Sequence, residues 1–210
     1  MNIIESLKWR YATKKFDPSK NLSTQQINTL KKAFNLMATS FGLQPLKLII
    51  IKNKKLKEEF VKYCYYQRQV ADASHLLVFC IQNDTTTEAI NAYFDMEKEI
   101  RGTSEEIISK YRNQLIGNFE NKSIEEKQIS ATNQAYIALG NLMTVCAIEK
   151  IDACPMEGFM PEKIDELLNL PSQNLKSVLL MPVGFRADDD FMSTMKKVRK
   201  PLNETVLEIL

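Results

Sequence analysis

The segment that most limits the fold begins at Ser123. With Glu126 three residues on, Ser123 has the form of a helix start in which each side chain can satisfy the other residue's free amide. Downstream, "AYIALGNLMTVCAI" is apolar on nearly every side, leaving no polar face to turn toward water. This predicts a long helix buried all round, at the centre of the molecule. The apolar run Ala135 to Ile148 is interrupted by Gly140, Asn141 and Thr144 and falls short of the roughly 20 residues that span a bilayer. A soluble chain is expected.

A central helix needs a sheet to pack on. The runs "LKLIIIK" (Leu46 to Lys52), "HLLVFCI" (His75 to Ile81) and "LKSVLLMPVGF" (Leu175 to Phe185) predict buried strands. Helical spacing is expected from Asn2 through Leu7, from Ser23 toward Gly42, over Lys54 to Tyr65, Thr85 to Ile100, Ser104 to Phe119 and Pro161 to Leu170. Ile151 to Pro155 reads as a short extended piece, and the tail "KKVRKPLNETVLEIL" as ending in a candidate edge strand. The elements lack the regular rhythm of a doubly wound sheet, which predicts an α+β sandwich with the sheet covered by helices. Nothing divides the chain, so residues 1–210 are read as a single domain.

Composition excludes several classes of chemistry. Twenty-eight basic residues face twenty-six acidic ones, so no general positive field gathers nucleic acid or anionic lipid. Cys64, Cys80, Cys146 and Cys154 form no CxxC pair and sit in apolar surroundings, as in a reduced cytoplasmic protein. The single histidine, His75, argues against a histidine-rich metal centre, and no metal site is expected. The N-terminus carries Glu5 and does not resemble a secretory signal. Neither a GxGxxG turn nor a phosphate-binding P-loop is present. Any phosphate would have to be held by side-chain cations and helix ends.

Three local patterns carry chemistry. Arg10 and Lys14 near one end, with Lys197, Arg199 and Lys200 near the other, match the needs of a phosphate monoester; each run alone is more commonly a solvated helix end. "CPMEGF" (Cys154 to Phe159) is either an ordinary turn or a loop whose amides face a ligand beside Gly158. "ATSFGLQP" (Ala38 to Pro45) accounts for itself as a helix stop before a proline, yet its hydroxyls and amide also suit a heterocycle.

"RYATKKF", "TSFGLQP", "QVADASHLLVF", "PMEGF" and "KKVRKP", in this order and over Asn2 to about Asn203, resemble the FMN-dependent nitroreductase family. The likeness is to its oxygen-insensitive NAD(P)H nitroreductase and dihydropteridine reductase branch. The resemblance implies a mostly antiparallel central sheet flanked by helices, in a homodimer with FMN held at the subunit interface. It implies phosphate contacts from Arg10, Lys197 and Arg199, with Tyr11 and Ala12 also touching the cofactor. Lys14 and Gln69 would meet the pyrimidine edge of the flavin, and Thr39, Ser40 and Gly42 would reach it from the partner subunit. Gln134 would contact it from the long helix. Pro155, Met156, Glu157 and Gly158 would cover one flavin face, and Phe41, Tyr63 and Tyr65 would face the substrate.

The implied reaction passes hydride from NADH or NADPH through the flavin, in ping-pong fashion, to nitroaromatics, quinones, pteridines or similar flat acceptors. Lys14 and the Glu157–Gly158 amides are its catalytic groups. The alternative is a flavin-binding dimer of the same fold without significant turnover. The chain departs from the family pattern at Ala12, Gly42, Leu46 and Tyr66.

Overall fold

The computed structural model describes residues 2–209. In chain order its elements are α1 (Ile3–Trp9), α2 (Thr24–Asn35), β1 (Leu46–Ile51), α3 (Lys54–Tyr63), α4 (Gln69–Asp72), β2 (His75–Gln82), α5 (Thr87–Arg101) and α6 (Glu105–Glu120). There follow α7 (Ile124–Ile148), β3 (Asp152–Ala153), α8 (Pro161–Leu167), β4 (Leu175–Gly184) and α9 (Leu202–Thr205). The strands form an antiparallel sheet in the order β1-β2-β4-β3.

β2 explains the sandwich. Successive side chains of a strand point to opposite faces, and every residue from Leu76 to Ile81 is apolar, so both faces must be covered. Leu76, Val78 and Cys80 enter a core closed by Phe60 and Val61 of α3, Val70 of α4 and Ile164 of α8. Leu77, Phe79 and Ile81 enter another, closed by Ile27 and Leu30 of α2 and by Ala135, Ala138 and Leu142 of α7. α5 and α6 pack on each other around Phe94, Ile108, Leu115 and Phe119.

The start of α7 is as expected: Glu126 N donates to Ser123 Oγ at 3.2 Å and Ser123 N to Glu126 Oε2 at 2.8 Å. Its burial is one-sided, however. Ala131, Ala135, Ala138 and Leu142 face the sheet, whereas Ile129, Tyr136, Ile137 and Ile148 are exposed in the single chain. At 100° per residue these positions fall outside the arc that the sheet and α2 cover. The tail also differs from expectation. After Met195 it forms the single turn α9 and no strand, and Val198, Leu202, Leu207 and Ile209 are exposed.

Between α2 and β1 the chain tightens into a 3-10 turn over Ser40–Gly42, ending the helical spacing earlier than Gly42. Gly42 has φ +74°, and a Cβ there would lie 2.6 Å from Tyr93 Oη. Only glycine lets the turn close against α5.

His75 opens β2, buried, with its Nδ1 2.9 Å from Ser74 Oγ. Burial and the neighbouring Lys52, Lys57 and Lys31 push its pKa from 6.5 down to about 4. The unfolded chain therefore binds a proton that the folded one refuses, and stability falls as pH drops from about 6.5 toward about 4. Urea midpoints measured across this range will show the decline, and His75→Gln will flatten it. Parallel profiles for the two proteins would contradict the assignment.

Candidate functional site

The two ends of the chain meet. Asn2 caps the start of α1, its Oδ1 accepting from Ile4 N at 2.8 Å, and the helix ends at Trp9, where Arg10 leaves it in extended conformation. Lys197 Nζ donates to the Arg10 carbonyl. Around them lies a cavity of about 390 Å³. Lys8, Arg10, Lys196, Lys197 and Arg199 line it, and no acidic residue does.

The cations pay for this crowding in proton affinity. Arg10 is lowered from its ordinary value by burial and by Arg199. Lys197 is lowered by burial, Arg10 and Arg199. Lys8 is paired with Glu5 at 2.9 Å, but Arg10, Lys197 and Arg199 have no carboxylate partner among the described residues. Such like charges are relieved by a compact anion, and guanidinium forks plus an ammonium match phosphate geometry.

Asp190 assembles this end of the molecule, and sequence reading missed it. It is 1% exposed. Its Oδ2 accepts from Tyr11 Oη at 3.0 Å, Lys14 N at 3.0 Å and Lys15 N at 3.3 Å, and its Oδ1 from Met192 N at 3.1 Å. Burial and this bond raise the Tyr11 pKa. In sequence Asp190 is the last of three aspartates in "ADDD", a run that reads as solvated surface.

The next group continues from Ala12. Ala12 bridges to Ala153, and Thr13 N donates to Ala153 O at 3.2 Å, so the stretch after Arg10 lies beside β3. Cys154 follows β3, and its thiol, raised by burial, is drawn back down by the charge of Lys14 and a hydrogen bond from Gln69. Gln69 Nε2 donates to Gln67 Oε1 at 3.3 Å, and Gln67 in turn reaches Gly158, which links Gln69 to the Pro155–Gly158 loop. Met156 pairs with Leu180 of β4 through N–H to O bonds of 2.9 and 3.0 Å in the two directions. Glu157 and Gly158 project beyond that pairing, and among the described residues their N–H groups have no acceptor. The Gly158 carbonyl accepts from Gln67 Nε2 at 3.1 Å. Tyr65, exposed and at φ +52°, stands beside Gly158, while Tyr63 is half-buried at the end of α3.

Thr39, Ser40, Phe41, Gly42 and Gln134 form a separate group. Ser40 N donates to Gln134 Oε1 at 3.0 Å, Gln44 N to Thr39 Oγ1 at 3.3 Å, and Phe41 meets Phe119 edge-on at 6.2 Å between centroids. None of the residues lining the Arg10 cavity borders the crevice beside Ser40 and Gln134. Within one chain the expected ligand contacts therefore fall into two groups. The largest cavity among those described, about 590 Å³ between α2 and β1, includes none of them.

The chain is similar to known proteins along most of its length. The Nitroreductase family model matches residues 7–185. A Staphylococcus epidermidis protein provisionally named NAD(P)H nitroreductase is 32% identical over 207 residues, covering 89% of each chain. The oxygen-insensitive NAD(P)H nitroreductase of Salmonella typhimurium is 27% identical over 217 residues, covering 100% of both. A structure from Exiguobacterium sibiricum, in complex with FMN, superposes with TM-score 0.82 at 19% identity, covering 100% of this chain and 98% of that one, and shows the shared fold. With the match extending from the first helix to the end of the last long strand, the chain belongs to the Nitroreductase family.

Proposed function

We propose that the protein is a cytoplasmic FMN-dependent oxidoreductase, acting as a homodimer, that moves hydride from NADH or NADPH to nitroaromatics, quinones, pteridines or similar flat acceptors. The observation that carries this reading is the acid-free cavity where Arg10, Lys197 and Arg199 converge. The printed names of the relatives, NAD(P)H nitroreductase, and the FMN complex of a structural neighbour support it. Four buried free cysteines agree with a reducing compartment. No helix among the described residues is long and apolar enough to cross a membrane.

The residues fit the group. Arg10, Lys197 and Arg199 would hold the phosphate, with Tyr11 and Ala12 beside it. Lys14 and Gln69 would meet the polar edge of the ring, and the loop Pro155, Met156, Glu157 and Gly158 would offer its two free amides. FMN, when bound, supplies a ring that accepts hydride from a nicotinamide and returns it to an acceptor. Lys14 would place its positive charge beside the ring where negative charge develops on reduction, favouring the transition state over the ground state.

The dimer rests on two features. The exposed apolar positions of α7 and of the tail give a second copy an apolar surface to cover. The Thr39–Gly42 group, separate from the Arg10 cavity in its own chain, completes the site from the partner subunit, with Gln134 adjoining it. Phe41, Tyr63 and Tyr65 are the aromatics assigned to the acceptor face.

Two outcomes follow. Arg199→Ala, alone or with Lys197→Ala, retains its circular dichroism but loses FMN on dialysis; each lost charge-assisted bond weakens binding by about 1.5 to 3 kcal/mol. Cofactor content equal to the parent protein would remove the phosphate assignment. Anaerobic NADH or NADPH bleaches the visible spectrum of the holoenzyme, and Lys14→Ala slows bleaching about tenfold or more, the scale of a stabilising contact worth 1.4 kcal/mol. A holoprotein that never bleaches would be a flavin-binding dimer without turnover.

A further inference from the structure

Arg10 is flanked by two aromatic rings that face the same cation. The Arg186 guanidinium lies 4.4 Å from the Trp9 ring centroid and 4.5 Å from that of Tyr11. It is fixed from below by Asp152, with Nε donating to Oδ1 at 2.7 Å and the Arg186 backbone N to Oδ2 at 2.9 Å. Asp152 is 5% exposed, so the pair is largely shielded from water. Lys150 sits over the Trp9 ring as well, at 4.3 Å.

Arg186 lies outside the 390 Å³ cavity, so it is not one of the cations lining it. It contacts the side chains on both sides of residue 10. A guanidinium is a flat plate that stacks on an aromatic face, whereas an ammonium is a compact point charge.

Resting on the phosphate reading above, we propose that Arg186 is a positioning residue. Wedged between Trp9 and Tyr11, it holds the Arg10 backbone where its carbonyl meets Lys197 and its guanidinium lines the cavity. Asp152 neutralises Arg186, so the wedge adds no further repulsion to the Arg10, Lys197 and Arg199 cluster.

The test compares FMN with riboflavin, which has the same ring and lacks the phosphate. Arg186→Lys keeps the charge opposite Asp152 and loses the plate. Equilibrium titration of the apoprotein is expected to give an FMN Kd raised about tenfold, or 1.4 kcal/mol, with riboflavin Kd changed less than twofold. Trp9, the only tryptophan, reports the wedge directly, and its emission will shift in the variant before any ligand is added. Should Arg186→Lys prove unstable, Arg186→Met with Asp152→Asn removes both charges together and is expected to show the same selective loss.

Equal loss for both ligands, or an unchanged FMN Kd, would overturn the proposal. Arg199→Ala measured alongside separates the two claims. If it loses FMN selectively and the Arg186 variants do not, the wedge fails and the phosphate reading stands. If neither set is selective, both fail.

Discussion

The site depends on one buried carboxylate. Asp190 accepts hydrogen bonds from residues 11, 14, 15 and 192, joining stretches as much as 179 positions apart in sequence. A carboxylate almost fully removed from water is costly unless its lone pairs are filled, so the geometry that fills them is strongly specified. That geometry fixes the exit from α1 and the start of the tail against each other. Once both are fixed, Arg10, Lys197 and Arg199 cannot avoid one another, and their mutual repulsion creates the demand for an anion. Asp190 faces the backbone and the Tyr11 hydroxyl, and it does not line the cavity, so it assembles the cations without quenching them.

The same division of labour recurs on the other side of residue 10. Asp152 is paired with Arg186, and Arg186 is stacked between rings. Negative charge is thus used up in structural pairs beneath the surface, and the cavity is left uniformly positive. The Pro155–Gly158 loop follows a similar logic. Met156 is tied to β4, which leaves Glu157 and Gly158 as the stretch with unclaimed amides. Strand pairing stops where the amides proposed to face the flavin begin.

Much of this was legible in the sequence, for identifiable reasons. Strands and capped helices rest on local rules: the all-apolar run in β2 predicts a strand covered on both faces, and Ser123 with Glu126 predicts the start of α7. The candidate site was legible only through five short motifs in register, because a phosphate cradle built from both termini has no local signature. Asp190 and Arg186 were missed for the same reason. An acid in "ADDD" and an arginine after a strand read as solvated until the fold shows what faces them. The sequence of α7 predicts burial all round because apolar residues occupy nearly every side, yet within the single chain only one face is covered; the proposed second copy would cover the other. In the tail, Val206 to Ile209 carried an apolar strand pattern, yet a strand needs a pairing edge beside it, and the described residues of the one chain place none there.

The central claim is that the two ends of the chain cooperate to recognise a phosphate attached to a flavin. The most direct measurement is equilibrium titration of the unaltered apoprotein with FMN and with riboflavin under identical salt conditions. With even one charge-assisted contact worth about 1.5 to 3 kcal/mol, and several cations acting together, FMN should bind at least about a hundredfold more tightly. Equal affinities for the two molecules would contradict the account.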